Sequence, residues 1–398
     1  MAEPAQAEQS ITRALTASVD VVSAYPFHMF NQAAQLARLG ALRRLHTAYP
    51  ARLAAGVPRD QVRSRPYWAA VRRAASKAGG ALDAPLNRRV IADFDRWAAS
   101  HVDGAIAVIG LSSFATATLA TAKRLGAMTA CDRGSTHILS QQEILRRESQ
   151  RWNLPMPSFD PWIIDRELQE YETADCILVP SEPAFASFVD RGIDRGKLRK
   201  VPYGVDLSGF SPLPRGSTPA RGTRFVSVGP VGIQKGHQYL LPAYRRVRGA
   251  DTSLHLVGPA ERTVTDVIVR GDEDVSVVGA VPRSQVADHL RSSSVFVLAS
   301  VQEGLSLSVL QAMACAIPVI VSEATGAAEY VTDGAEGFVV PTGDTDALAE
   351  AMQRFVDDPD LVTSMGAAAR RRVEAVDGWN GYGQRLLRAL ATVEGPTK

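Results

Sequence analysis

Six short apolar runs in the second half of the chain are rich in β-branched residues and punctuated by Gly or Pro: Phe225–Val228, Leu254–Val257, Val275–Val278, Val295–Leu298, Val319–Val321 and Phe338–Val340. Helix-length amphipathic stretches separate several of them, at His237–Val247, Ser284–Arg291 and Thr345–Phe355. Strands that alternate with helices pair through crossovers, which builds a parallel sheet covered by helices. The first half repeats the alternation less cleanly. Its strand-like runs are Val19–Ser23, Ala105–Ile109, Ala127–Cys131, Ile177–Val179 and Leu198–Val201, with helical patterns at Gln32–Leu39, Phe114–Leu125, Ile138–Arg151 and Pro183–Arg191. Two α/β domains in series are expected. Between them, Val201–Gly222 concentrates Pro, Gly and Ser and loses periodicity, as a linker does. The ligand belongs in a cleft facing the carboxyl ends of both sets of strands.

At 398 residues the chain exceeds what one compact core usually holds. A formal net charge of +2, with both signs mixed along most of the sequence, argues against a nucleic-acid binder. Three scattered cysteines, Cys131, Cys176 and Cys315, lack zinc-ligand spacing and suit a reducing compartment. The first 16 residues read as a loose tail, and the acidic Glu3 and Glu8 there speak against a secretory signal. No run is long enough to span a bilayer, so a cytoplasmic protein is expected.

Chemistry concentrates in two segments. In Glu303–Val321 (EGLSLSVLQAMACAIPVIV), an acidic residue and a glycine open a loop, and a small-residue helix follows from Ser306 to about Ala316. Helix N-termini gather N–H donors and attract anions. Glu303 at that mouth is suited to accept bonds from sugar hydroxyls beside a phosphate, and Gln311 can both donate and accept. The plainer reading makes Glu303 a dipole-complementing carboxylate and Gln311 a surface amide. In Phe225–Leu241 (FVSVGPVGIQKGHQYLL), a strand ends at Gly229, a loop carries Gly232, and Lys235-Gly236 starts a helix. A lysine beside helix-terminal N–H groups suits a diphosphate, although a βα turn with a solvated lysine looks the same.

Ordered blocks across the second half carry a resemblance. VG-x5-KG (Val228–Gly236), LVG (Leu256–Gly258), GAVPRSQV (Gly279–Val286), FVLAS-x2-EGLSLSVLQAMACAIPVI (Phe296–Ile320) and DG-x2-GFVVP (Asp333–Pro341) resemble the carboxyl-terminal domain of family-4 glycosyltransferases. PYGVD-x3-F (Pro202–Phe210) is similar to that family's interdomain crossing, and AD-x-I-LVPSE (Ala174–Glu182) to its last amino-domain strand. The resemblance implies the GT-B arrangement: two Rossmann-like domains with parallel sheets facing a central cleft. The amino-terminal, acceptor-binding domain would cover residues 1–203 and the nucleotide-sugar domain 204–376, with a helix in 377–398 packing back on the first. It also implies a retaining enzyme that moves a sugar from a nucleotide-sugar donor to a glycan or lipid-linked acceptor in glycan synthesis, with no metal or other cofactor.

Carried over by position, Lys235 would pair with the donor diphosphate, Glu303 would meet the donor sugar, and Gly304, Leu305, Ser306 and Leu307 would line sugar and phosphate. Gln311 would reach the ribose, Val281 and Pro282 the base, and Gly229 and Gly232 would let the backbone approach. Two positions depart from the pattern. Pro230 stands where an Arg is common, and Gln311 replaces the second Glu of E-x7-E. Losing that Arg removes a fork-shaped phosphate donor. A protein that binds nucleotide sugar with little transfer, and a sugar-nucleotide epimerase, are the alternatives.

On the amino-terminal side, an aromatic loop at Ala24–Leu42 stands where the family has a Gly-rich one. It carries His28, a candidate for the acceptor side or else a capping residue. Asp132, Arg133 and His137 follow a strand near the family's usual histidine. Asp132 and His137 are catalytic candidates and Arg133 an acceptor-side one, against the plainer roles of helix cap and loop residue. Arg63–Lys77 is basic, contains Arg72 and Arg73, and interleaves Tyr67, Trp68 and Val71. It reads either as a solvated face or as a contact to anionic lipid on the inner face of a membrane.

Overall fold

The computed structural model describes residues 17–68, 70–71, 83–213, 222–260, 269, 272 and 274–393. Arg72, Arg73, Lys77 and the tail before residue 17 lie outside these. Among the described residues, no helix is long and apolar enough to cross a membrane.

Two all-parallel sheets form the frame. The first has seven strands: β1 (Val19–Ser23), β2 (Leu42–Thr47), β3 (Val62–Ser64), β4 (Ala107–Leu111), β5 (Met128–Asp132), β6 (Cys176–Val179) and β7 (Leu198–Lys200). Their spatial order is β3-β2-β1-β4-β5-β6-β7. The second has β8 (Thr223–Val228), β9 (Thr252–Val257), β10 (Val275–Gly279), β11 (Val295–Leu298), β12 (Val319–Ser322) and β13 (Gly337–Val340), ordered β10-β9-β8-β11-β12-β13. Both sheets are doubly wound, and their strand orders reverse between β1 and β4 and between β8 and β11. Ligands of such sheets bind at these switch points.

Helices cover both faces of each sheet: α1 (Met29–Arg38), α2 (Asp83–Ala99), α3 (Thr116–Arg124), α4 (Ile138–Trp152), α5 (Pro161–Thr173) and α6 (Glu182–Val189) on the first, and α7 (His237–Val247), α8 (Arg283–Arg291), α9 (Leu307–Ala314), α10 (Thr345–Asp357) and α11 (Asp360–Glu374) on the second. β1, β4, β5, β6, β11 and β12 are buried at every position, which explains their unbroken apolar runs. The last helix, α12 (Gly378–Ala391), returns to the first domain and packs on α1. A Cβ on Gly383 would sit 2.8 Å from that of Gln35, and the Tyr382 hydroxyl accepts from Gln32 at 2.8 Å.

β2 and β3 were not expected from the sequence. Arg43 and Arg44 interrupt the apolar pattern of β2, but Arg43 reaches the buried carboxylate of Asp20 on β1 at 2.5 Å, and His46 reaches the same carboxylate at 2.9 Å. The charge is paired inside the sheet, so periodicity alone misreads it.

Candidate functional site

The loops after β1, β4, β8 and β11 meet in one cleft. A cavity of about 590 Å³ there is lined from the first domain by Phe27, His28, Ser112, Ser113, Phe114 and Arg133, among others, and by Tyr203 of the linker. From the second domain it is lined by Lys235, Arg283, Glu303, Leu305, Ser306, Leu307 and Gln311.

On the second domain, two loops are stitched together before they face the cavity. Val301 N donates to Gln234 O at 3.0 Å, and Gly236 lies so close to β11's end that a Cβ would fall 1.8 Å from Ala299 O. At φ +72°, only glycine serves this position without strain. The stitch brings Lys235 onto Glu303: Nζ and Oε2 form an ion pair, with each side chain 13% exposed. The sequence suggested an ammonium and a carboxylate holding opposite ends of a donor; here they touch. His237 braces the same loop, with Nδ1 accepting from Gly232 N at 3.2 Å. Burial, followed by nearby Lys235, holds its pKa down to about 4, so it stays neutral. α9 begins at Leu307 with Ser306 as N-cap, and Gln311 one turn further faces the cavity.

Several expected contacts fall elsewhere. Val281 packs against the core and Pro282 is the exposed N-cap of α8, so neither lines the cavity; their neighbour Arg283 does. Arg283 has no hydrogen-bonded partner among the described residues; its charge adds to the lowering of the Asp206 pKa, after burial, which raises it, and the hydrogen bonds from Gly209 and Ser208, which lower it. Gly229, Gly232 and Gly304 do not line the cavity either. Gly229 lets the Lys235 stem pass, since a Cβ would lie 3.2 Å from its Cε. Gly232 has extended backbone and open space beside it, so no protein atom requires glycine there. Gly304 faces the other domain: a Cβ would fall 2.1 Å from Gly134 O.

On the first domain, His137 does not line the cavity. It is 3% exposed and caps α4 through Nδ1, which accepts from Leu139 N at 3.2 Å, with its ring packed on Tyr171 and Phe188. Burial and then Arg133 and Arg191 lower its pKa to about 4. Asp132, 3% exposed, does not reach the cavity itself but holds His28, which does: Oδ1 lies 2.8 Å from His28 Nε2. Arg133 lines the cavity, yet its guanidinium is spent on Glu167 (3.0 Å), Gln141 (2.7 Å) and Thr136 O (3.0 Å).

The loop after β4 had no sequence signal. Ser113 takes φ +76°, uncommon for a non-glycine residue. α5 holds it there: Ser113 N and Ala115 N donate to Glu170 at 2.6 and 2.9 Å, and Arg166 donates to Ser113 O at 3.0 Å. Burial raises the Glu170 pKa to about 8, against the downward pull of the Ala115 N–H. Strain of this kind gathers where a loop must present groups to a ligand.

Residues 222–358, which contain β8 to β13 and this half of the cavity, match the family described as "Glycosyl transferases group 1". The second domain therefore resembles the domain shared by group 1 glycosyltransferases. The whole chain has the GT-B fold: it superposes on sucrose-phosphate synthase of Thermosynechococcus elongatus with a TM-score of 0.67, covering 93% of this chain and 97% of that one at 19% identity. HepE of Anabaena, solved with UDP and glucose, gives 0.66 over 94% and 100% at 13% identity. At such identities the likeness concerns fold alone. Among curated relatives, a GDP-mannose-dependent monoacylated alpha-(1-6)-phosphatidylinositol monomannoside mannosyltransferase of Corynebacterium glutamicum is 31% identical over 210 residues, 48% of this chain. The matched stretch is 55% of that relative, so the likeness spans little more than half its length.

Proposed function

We propose that this GT-B chain is a retaining glycosyltransferase that moves a hexose from a nucleoside-diphosphate sugar to a glycan or lipid-linked acceptor. The observation that carries the reading is the convergence of Lys235 and Glu303, from two loops of the second domain, in a cavity whose other wall is built by the first domain. Lys235 stabilises the diphosphate as it leaves, helped by the N-terminus of α9. Glu303 accepts hydroxyls of the sugar, Gln311 the ribose, and Arg283 adds a guanidinium to the nucleotide side in a site that has Pro230 where an Arg is common. No protein nucleophile is needed. The acceptor hydroxyl attacks on the face that the diphosphate leaves and passes its proton to a phosphate oxygen, so catalysis rests on positioning and charge stabilisation. The relative's GDP-mannose and HepE's UDP and glucose define the donor class to test.

Thermal shift with GDP, UDP, GDP-mannose and UDP-glucose would find the base, since a ligand bound to the folded state raises Tm by mass action. Proton NMR of the product would then give its anomeric configuration. Inversion refutes the retaining reading. Binding without hydrolysis or transfer would leave a nucleotide-sugar-binding protein instead, the outcome that Pro230 favours.

A further inference from the structure

His28 lines this cleft, and its surroundings fix which ring nitrogen faces the protein. Nε2 is 2.8 Å from Asp132 Oδ1 and 3.2 Å from the Tyr203 hydroxyl. A carboxylate only accepts, so Nε2 carries a proton, and the neutral tautomer that this contact selects has its lone pair on Nδ1. Two further contacts make the arrangement rigid. The imidazole stacks on Tyr203 with centroids 4.4 Å apart, and Gln32 donates to the other Asp132 oxygen at 2.9 Å.

The Cε1–Nδ1 edge faces Gly134. A Cβ there would lie 3.3 Å from Cε1 and 3.8 Å from Nδ1. Gly134 in turn abuts Gly304, the residue after Glu303. His28 lines the cavity that Glu303 and Lys235 line, and no described residue hydrogen-bonds its Nδ1. A lone pair at this point repels phosphate and carboxylate. It suits a neutral hydroxyl.

We infer that His28 Nδ1 accepts a hydrogen bond from a sugar hydroxyl held in the cleft, and that Asp132 is a positioning residue that fixes the tautomer. The inference rests on the transferase reading and deepens it. The hydroxyl belongs either to the donor sugar or to the acceptor, and the two sources separate by experiment. Asp132→Asn tests the tautomer: the amide NH2 donates to Nε2, moves the ring proton to Nδ1 and turns the acceptor into a donor. His28→Leu removes the group, whereas His28→Asn offers Oδ1 near the place of Nδ1.

The full-length variants would be compared with wild type for affinity to GDP-mannose and GDP (or UDP-glucose and UDP, whichever wild type binds), for donor hydrolysis, and for transfer to phosphatidylinositol vesicles. Unchanged GDP or UDP affinity certifies that each variant folds. A donor-sugar hydroxyl predicts that the affinity ratio of sugar nucleotide to nucleotide falls about tenfold or more in His28→Leu and Asp132→Asn, with recovery in His28→Asn. An acceptor hydroxyl predicts an unchanged ratio and hydrolysis, with transfer lost by the same factor. If ratio, hydrolysis and transfer all stay at wild-type values in both His28→Leu and Asp132→Asn, the inference is overturned while the transferase reading stands. A wild type that binds neither sugar nucleotide refutes the reading and the inference together.

Discussion

Gly304→Ala is the sharpest test of how the two domains make one site. The backbone at Gly304 lies outside the left-handed region, so alanine costs nothing in conformation, and the whole effect is steric. The new Cβ would lie 2.1 Å from Gly134 O and 2.8 Å from both Gly134 C and Ser135 Cα, all atoms of the opposite domain. Real Cβ contacts essentially never fall below 3.0 Å, and backbone cannot rotate aside as a side chain can. The seam must therefore open by about 0.9 Å or more at this point. Ser181 Oγ, which donates to Gly304 O at 2.7 Å, would be pulled off its partner. A misplacement of about 1 Å between reacting groups costs roughly a hundredfold in rate, so turnover should fall by about that factor. Free-nucleotide affinity should change little, because Lys235, Gln311 and Arg283 all belong to the second domain. The assay pairs kcat from a nucleotide-release measurement with calorimetric nucleotide affinity, and uses Gly249→Ala, where no atom lies within 4 Å, as the neutral control. Wild-type kcat in Gly304→Ala would refute the claim that catalysis needs the seam closed.

Lys235→Ala removes one half of a mostly buried ion pair and should weaken sugar-nucleotide binding by about ten- to a hundredfold; unchanged affinity by calorimetry would strip Lys235 of its phosphate role. Arg283→Ala should weaken nucleotide alone and sugar nucleotide by similar factors, about tenfold, because its place is on the nucleotide side; a loss confined to the sugar nucleotide would contradict that. His137 and His237 stay neutral in the fold down to about pH 4, whereas the unfolded chain takes up their protons near 6.5. Their depressed pKa values thus favour the folded state fully above pH 6.5, and this contribution is lost as pH falls toward 4. His137→Asn keeps a capping oxygen and should flatten the decline of Tm over that window; an unchanged slope would show that His137 does not titrate as placed.

Element type was largely written in residue pattern. Val295–Leu298 and His237–Val247 coincide with β11 and α7 to the residue, because a buried parallel strand is an unbroken apolar run and an amphipathic helix repeats its period. What escaped had its charges paired out of sight. β2 hid behind Arg43 and its Asp20 partner, and the loop after β4 owes its shape to Glu170 and Arg166, more than 50 residues away in sequence. The same holds at the site. Lys235 and Glu303 could be read from their loops, but local pattern could not tell His28 from His137. One is held to the cleft by a carboxylate about 100 residues distant, and the other is turned inward by Leu139 and Phe188. Arg283 escaped because one helical step separates it from the exposed Pro282.

α12 has a bearing on how proteins of this shape can exchange parts. It follows the second domain in the chain but covers α1 of the first, and the linker passes so near its start that a Cβ on Gly204 would meet Gly378 O at 2.2 Å. A chimera that took its first domain from one parent by cutting only at the linker would seat a foreign helix on α1 and break the Gln32–Tyr382 hydrogen bond behind Asp132. Recombination that keeps this lobe intact needs two crossovers, the second just ahead of Gly378, so that both ends of the polypeptide are inherited together.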